Sequence, residues 1–250
     1  MENIILLLLA TLNIAILLFL LIKVRKIHQF CWKLKDEISY KSIQTVKNIE
    51  DLDVLYRELK FTKSLPPTMG FAGSPDFLRL VADYARLENV ENILECSSGL
   101  STIVLAQTFK LKGKGHVYSL ENSADYAEKS RENLKKYGLE DWATVITAPL
   151  TDMRLNNEDY SWYDIDNKIP ELEFDGLVID GPPWSVSKNA RYPAGPILFK
   201  YLRKEAHIFL DDYDREEEQV AVDMWLAEQP GMTLMIHRFM KGCAELIKRT

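Results

Sequence analysis

From Ile4 to Ile22 the chain runs for 19 residues with only Thr11 and Asn13 interrupting an apolar sequence. At about 1.5 Å per residue, a helix of that length covers roughly the hydrocarbon core of a bilayer. A cleaved signal peptide would want basic residues ahead of the apolar run and a small-x-small site behind it. Here Glu2 precedes the run, and no such site follows Ile22. A buried core helix is the alternative; Lys23, Arg25, Lys26, Lys33 and Lys35 crowd the C-terminal flank of the run. Positive flanks stay in the cytoplasm. Residues 1–22 are therefore expected to be an uncleaved, single-pass transmembrane anchor, with the soluble part of the chain on the cytosolic side.

The chain has 250 residues, enough for one domain of ordinary size and an appendage but not for two large domains. A formal charge of −6 gives no overall basic footprint, so a nucleic acid partner is not expected. Cys31, Cys96 and Cys243 lack the close spacings of zinc sites or disulfide frameworks, in keeping with a reducing compartment. Residues 23–60 are charged and helix-favouring, with Ile27, Phe30, Leu34 and Ile38 spaced by three and four. This reads as a juxtamembrane helix, and residues 1–60 are the segment through which the chain could form oligomers, although the spacing lapses past Lys41. Leu65-Pro66-Pro67 breaks the helix and opens a linker to Gly73, so the folded domain is assigned to residues 61–250.

Within that domain, Ser74-Pro75-Asp76 has the order of an N-cap, a first-turn proline and a first-turn acid. Short apolar runs then alternate with helical stretches. Strands are expected at 92–95, 116–121, 144–148, 176–180, 207–210, 233–239 and 244–248. A helix over 124–137 is closed by Gly138. Such alternation predicts an α/β fold with a doubly wound, mainly parallel, seven-stranded sheet. The last two strands, joined only by residues 240–243, form an antiparallel C-terminal hairpin.

In such sheets the ligand lies beyond the carboxyl ends of the strands. The first strand runs into Cys96-Ser97-Ser98-Gly99, a small-residue turn ahead of a helix whose free N–H groups suit a ligand. It lacks the G-x-G-x-x-G that a dinucleotide pyrophosphate wants, so NAD is not expected. The second strand ends at Glu121, where a carboxylate can accept from both hydroxyls of a ribose.

Five stretches in this order resemble class I S-adenosylmethionine-dependent methyltransferases, and more narrowly the methyltransferase 24 domain group. They are residues 93–102, 117–121, 178–183 (Val-Ile-Asp-Gly-Pro-Pro), 191–194 (Arg-Tyr-Pro-Ala), and 209–212 (Phe-Leu-Asp-Asp) with Arg215 and Glu218. The departure is Ser97, which stands where most of the superfamily has the first glycine of E-x-G-x-G. The resemblance implies a Rossmann-like methyltransferase fold with S-adenosylmethionine as cofactor. On it, Glu95, Ser97 and Gly99 would line the methionine end, Glu121 would hold the ribose, and Asn122 would lie near the adenine.

The sulfonium already activates its methyl group, so the protein needs to align the acceptor and remove its proton. Of the histidines only His237 is placed near the site, and as a strand residue it reads better as structural. The carboxylates are better placed: Asp180 and Asp212 are the candidate catalytic residues. Asp180, Asp211 and Asp212 together are a candidate oxygen-only site for Mg²⁺ or Ca²⁺. Gly181 ahead of Pro182-Pro183 has no side chain to accept from an amino group, which favours an oxygen acceptor. Trp184, Arg191 and Tyr192 are candidates for a wall against a sugar or phosphate. The expectation is a membrane-anchored O-methyltransferase acting on a glycan, lipid-linked sugar or other small molecule. The alternatives are a protein or nitrogen methyltransferase, or a non-catalytic protein of this fold in a membrane complex.

Overall fold

The computed structural model describes residues 1–68, 70 and 72–249. It divides into two compact units, Met1–Val46 and Lys47–Thr250. A helix, α1 (Glu2–Glu58), makes up the first unit and continues into the second. It is the one helix among the described residues long and apolar enough to cross a membrane. In the first unit, the side chains of the apolar run are all exposed: there is no internal core for Leu6, Phe19 or Ile22 to join.

The second unit begins earlier than the Pro66-Pro67 break suggests. Leu55 and Leu59, in and just after the last turn of α1, are buried against Leu78, Ala82, Leu100 and Val104. Asp51 pairs with Arg79 at 2.6 Å. The next helix, α2 (Pro75–Ala85), opens at Ser74 as expected, but that hydroxyl donates to Asp76 Oδ1 at 2.5 Å instead of capping the backbone.

Seven strands form the main sheet: β1 (Asn92–Cys96), β2 (His116–Glu121), β3 (Ala143–Thr147), β6 (Phe174–Ile179), β7 (Leu202–Asp211), β8 (Thr233–His237) and β9 (Cys243–Ile247). Two more, β4 (Leu150–Leu155) and β5 (Glu158–Tyr163), form a separate hairpin. The sheet order is β3-β2-β1-β6-β7-β9-β8, parallel through β7, with β9 antiparallel to both β7 and β8. This is the expected doubly wound sheet with its terminal hairpin.

Period-two alternation in the central strands divides the core into two faces. Leu94, Cys96, Leu177, Ile179, Ile208 and Leu210 face one side, packed with Trp162 and Trp225. Ile93, Val178 and Phe209 face the other, against Phe77, Ile103 and Phe109. On the second face lie α2, α3 (Leu100–Lys112) and α4 (Ala124–Tyr137). On the first lie the β4–β5 hairpin, α5 (Ala194–Leu198) and α6 (Glu216–Glu228). With both faces covered, parallel strands can be apolar throughout.

Two elements escape the sequence reading. Strand β7 begins at Leu202, not His207, because Glu205 sits at φ 62 and interrupts an exposed, charged lead-in. The crossover from β3 to β6 carries the β4–β5 hairpin where an alternating fold leads one to expect a helix. Its turn is Asn156-Asn157, both at positive φ (50 and 66), as a two-residue type I′ turn requires.

Candidate active site

The turn after β1 has a backbone that favours glycine, yet Ser97 adopts φ 82 there. It is held by its N–H donating to Leu120 O at 2.8 Å and by Ser119 Oγ donating to its carbonyl at 3.2 Å. Gly99 N–H donates to Thr102 Oγ1 at 2.9 Å, and Thr102 Oγ1 donates onward to Glu95 Oε2 at 2.6 Å. Glu95 is fully buried beneath this relay. Burial pushes its carboxyl above the usual range, against hydrogen bonds from Ser101, Thr102 and Ser119. A Cβ added at Gly99 would meet nothing within 4 Å, so the turn leaves open space above it.

Glu121 closes the turn from β2. Its Oε2 accepts from Ser98 N at 3.0 Å and Ser98 Oγ at 2.9 Å, while Oε1 accepts from Ser123 N at 3.0 Å. Above these residues opens a cavity of 390 Å³. Ser97, Ser98, Glu121, Asn122, Ser123 and Tyr126 line one part of it, and Asp180, Trp184, Arg191, Asp212, Arg215 and Lys241 line another. A larger hollow of 580 Å³ lies at the amino ends of the strands, but there Lys114 already pairs with Glu88 and Glu91.

Asp180, following β6, and Asp211-Asp212, ending β7, converge because parallel strands deliver their carboxyl ends to one edge. Oxygens of all three lie within 4.8 Å of one another. Burial pushes the Asp180 carboxyl up to about 6 against the pull of Arg191, and Asp212 adds to the rise. Burial, with Asp180 and Asp212, holds Asp211 well above the usual carboxylate range. Arg191 Nη2 donates to Asp180 Oδ1 at 3.2 Å and Asp212 Oδ2 at 3.0 Å, and Nη1 lies 3.6 Å from Glu218 Oε1. Arg215 Nη1 reaches Asp212 Oδ2 at 2.9 Å.

Residues 94–213 match a family model described as a methyltransferase domain. That stretch is similar to methyltransferase domains. Among the solved structures that share the fold of that domain are the following three. The SAH-bound methyltransferase PaMTH1 of Podospora anserina is 19% identical, covering 79% of this chain and 88% of its own, with a TM-score of 0.56. The O-methyltransferase TomG of Streptomyces achromogenes, solved with SAM and involved in tomaymycin synthesis, is 18% identical over 78% and 86%, with a TM-score of 0.52. A methyltransferase of Geobacter sulfurreducens is 14% identical over 82% and 89%, with a TM-score of 0.53. No curated protein sequence matches the chain.

Within this domain, Ser97, Glu121, Asn122, Asp180, Trp184, Arg191 and Asp212 line one cavity, and Gly99 and Asp211 are not among its lining residues. Glu95 is a correction: it does not face the cavity but holds the turn from below through Thr102. Tyr192 is another. Its ring is fully buried against Tyr160, its hydroxyl bonds to Glu228, and its carbonyl accepts from Trp225 Nε1 at 2.8 Å, so it cannot form a substrate wall. Arg191 is only 2% exposed and is committed to acids, whereas Trp184 is 57% exposed at the cavity lip. Glu218, one of the residues that carry the resemblance, is buried at 1% beside Arg191 and Arg215. His207 and His237 both bond Glu245, at 2.5 and 2.6 Å, which accounts for them structurally.

Ser98, Ser123, Tyr126 and Lys241 also line the cavity, and the sequence reading did not single them out. The serines and Tyr126 adjoin residues that were singled out; Lys241 comes from the β8–β9 turn, remote in sequence. Tyr163, at the end of β5, is buried. Its buried hydroxyl has no hydrogen-bond partner among the described residues, and it lies 2.6 Å from where a Cβ on Gly181 would sit. That crowding is why the residue before Pro182 is glycine.

Proposed function

We propose that this protein is a membrane-anchored enzyme that transfers the methyl group of S-adenosylmethionine to a hydroxyl oxygen of a glycan, lipid-linked sugar or other small molecule at the cytosolic face of a membrane. The observation that carries this reading is a single cavity with a ribose-type carboxylate, Glu121, in one part and an acceptor-side carboxylate, Asp180, in another. The donor set fits the cofactor. Ser97 and Ser98, with the open space over Gly99, would receive the methionine part; Glu121 has lone pairs left for ribose hydroxyls; Asn122, Ser123 and Tyr126 adjoin the adenine position. When bound, the cofactor supplies an electrophilic methyl group.

The remaining chemistry belongs to the chain. Asp180 accepts the proton of the acceptor hydroxyl, and a carboxylate poised near 6 is ionised at neutral pH while basic enough for that task. Asp212, tied to Arg191 and Arg215, helps fix the Arg191 guanidinium that orients Asp180. The exposed face of Trp184 offers an apolar surface for a sugar ring. Oxygen as the acceptor atom agrees with the missing side chain at Gly181 and with the O-methyltransferase among the fold's solved neighbours. The apolar part of α1, with its basic flank, supports the anchor and the cytosolic orientation.

The test is calorimetry on the full chain in detergent. S-adenosylmethionine or its demethylated product should bind saturably, followed by transfer of a labelled methyl group to hydroxyl-bearing membrane extracts. Absence of heat with both ligands overturns the reading.

A further inference from the structure

Three aspartates with oxygens this close invite a divalent cation, which takes six or more oxygen ligands. The donor set here does not fit one, because a protein cation already joins Asp180 to Asp212. Arg191 Nη2 bridges Asp180 Oδ1 (3.2 Å) and Asp212 Oδ2 (3.0 Å), the two carboxylates that a metal would have to join. Its guanidinium is anchored by two strand-end carbonyls: Nη1 donates to Asp211 O at 2.9 Å and Nη2 to Asp180 O at 3.0 Å. The free oxygen of Asp212, Oδ1, lies 3.6 Å from Lys241 Nζ, which is also 3.8 Å from Asp211 Oδ2. Arg215 completes the ring at Asp212.

Each aspartate thus has a cation within 4 Å, and with Glu218 the cluster opposes four carboxylates with three fixed positive groups. Asp211, whose oxygens accept no hydrogen bond among the described residues, and the second oxygen of Asp180 are the positions a metal could still reach, too few for the roughly six to eight oxygens of a Ca²⁺ site. A guanidinium suits the bridging task, being planar, always charged and able to serve two carboxylates at once.

We propose that Arg191 is the fixed cation of this site: it joins Asp180 and Asp212 in place of a divalent ion, and the cluster neither binds nor needs a metal. Arg191 is then a positioning residue for Asp180, which rests on the methyl-transfer reading for what Asp180 does, though not for what the cluster binds.

The experiment titrates Ca²⁺ and Mg²⁺ into the full chain in detergent by calorimetry. The wild type should show no saturable binding up to about 1 mM, the weak end of protein calcium sites. Arg191→Met, which frees the oxygens, should gain at least about tenfold in Ca²⁺ affinity, whereas Arg191→Lys, which keeps a charge, should stay silent. Stoichiometric binding to the wild type that Asp212→Asn abolishes overturns the proposal, as does a folded Arg191→Met that binds no better than the wild type. If Arg191→Met fails to fold by circular dichroism, the wild-type titration decides alone. A parallel titration with S-adenosylhomocysteine separates the two ideas, since its failure removes the methyltransferase reading and leaves the metal result standing.

Discussion

Glu121 Oε2 accepts from both the backbone N–H and the hydroxyl of Ser98, at 3.0 and 2.9 Å. One carboxylate at the end of β2 thereby ties down the turn at the end of β1, joining two parts of the cavity wall.

Replacing Glu121 with Ala should therefore weaken S-adenosylmethionine binding by about 1–3 kcal/mol, through lost charge-assisted hydrogen bonds to the ligand and a loosened turn. Ser98→Ala removes only the hydroxyl contact and should cost less, about 1 kcal/mol. Calorimetry on both variants checks the order, and equal losses would mean that Glu121 acts only through the turn.

Ser97 stands at φ 82, where an L side chain is strained. Ser97→Gly should raise stability by about 1 kcal/mol in thermal or denaturant unfolding. Gly181→Ala should lower it by about 1–3 kcal/mol, because the new methyl would lie 2.6 Å from Tyr163 Oη and 2.7 Å from Ser97 Cβ. Adding Tyr163→Phe, which deletes an unpartnered buried hydroxyl, should recover part of that loss. No recovery in the double variant would place the crowding at Ser97 alone.

These two positions show where the sequence is informative and where it is not. Asp180, Asp211, Asp212 and Glu121 could be placed because a parallel sheet delivers every strand's carboxyl end to one edge, so strand ends alone locate them. Arg191 and Tyr192 could not be told apart, since they are neighbours in a loop and only packing decides that one meets the acids while the other is buried against Tyr160. The β4–β5 hairpin was hidden by the charges on its outer face, Asp152, Arg154 and Asp159, although Asn156-Asn157 between Leu155 and Glu158 was a legible turn signal. Lys241 was invisible because its approach to Asp212 depends on how β8, β9 and β7 pair.

Asp180 gives the pH dependence its sign. Its carboxyl sits at about 6, and only the ionised form accepts a proton, so methyl transfer should rise with pH through about 6 and level off above it. Below that point the rate should fall about tenfold per pH unit. Asp180→Asn should abolish the pH-sensitive rate while leaving cofactor affinity unchanged within about 1 kcal/mol. A flat profile from pH 5 to 8, measured at saturating donor, would remove Asp180 as the base.

The boundary between the apolar run and the domain, and the proposed anchoring, can be tested by truncation and by a reporter together. None of the buried apolar residues precedes Leu55, so deletion of residues 1–22 should leave a folded domain with unchanged cofactor affinity. Deletion of residues 1–60 should not, since it removes Leu55, Leu59 and the Asp51–Arg79 pair. Losing two buried leucines alone costs several kcal/mol, at about 2–5 each. The shorter truncation should also leave the membrane fraction, because it lacks the apolar run. In the full chain, Lys23, Arg25 and Lys26 lie on the C-terminal side of that run and only Glu2 on the other, so a reporter fused after Thr250 should read as cytosolic. A reporter outside the membrane would separate the domain from a cofactor made in the cytosol, and both the orientation and the proposed methyl transfer would have to be abandoned.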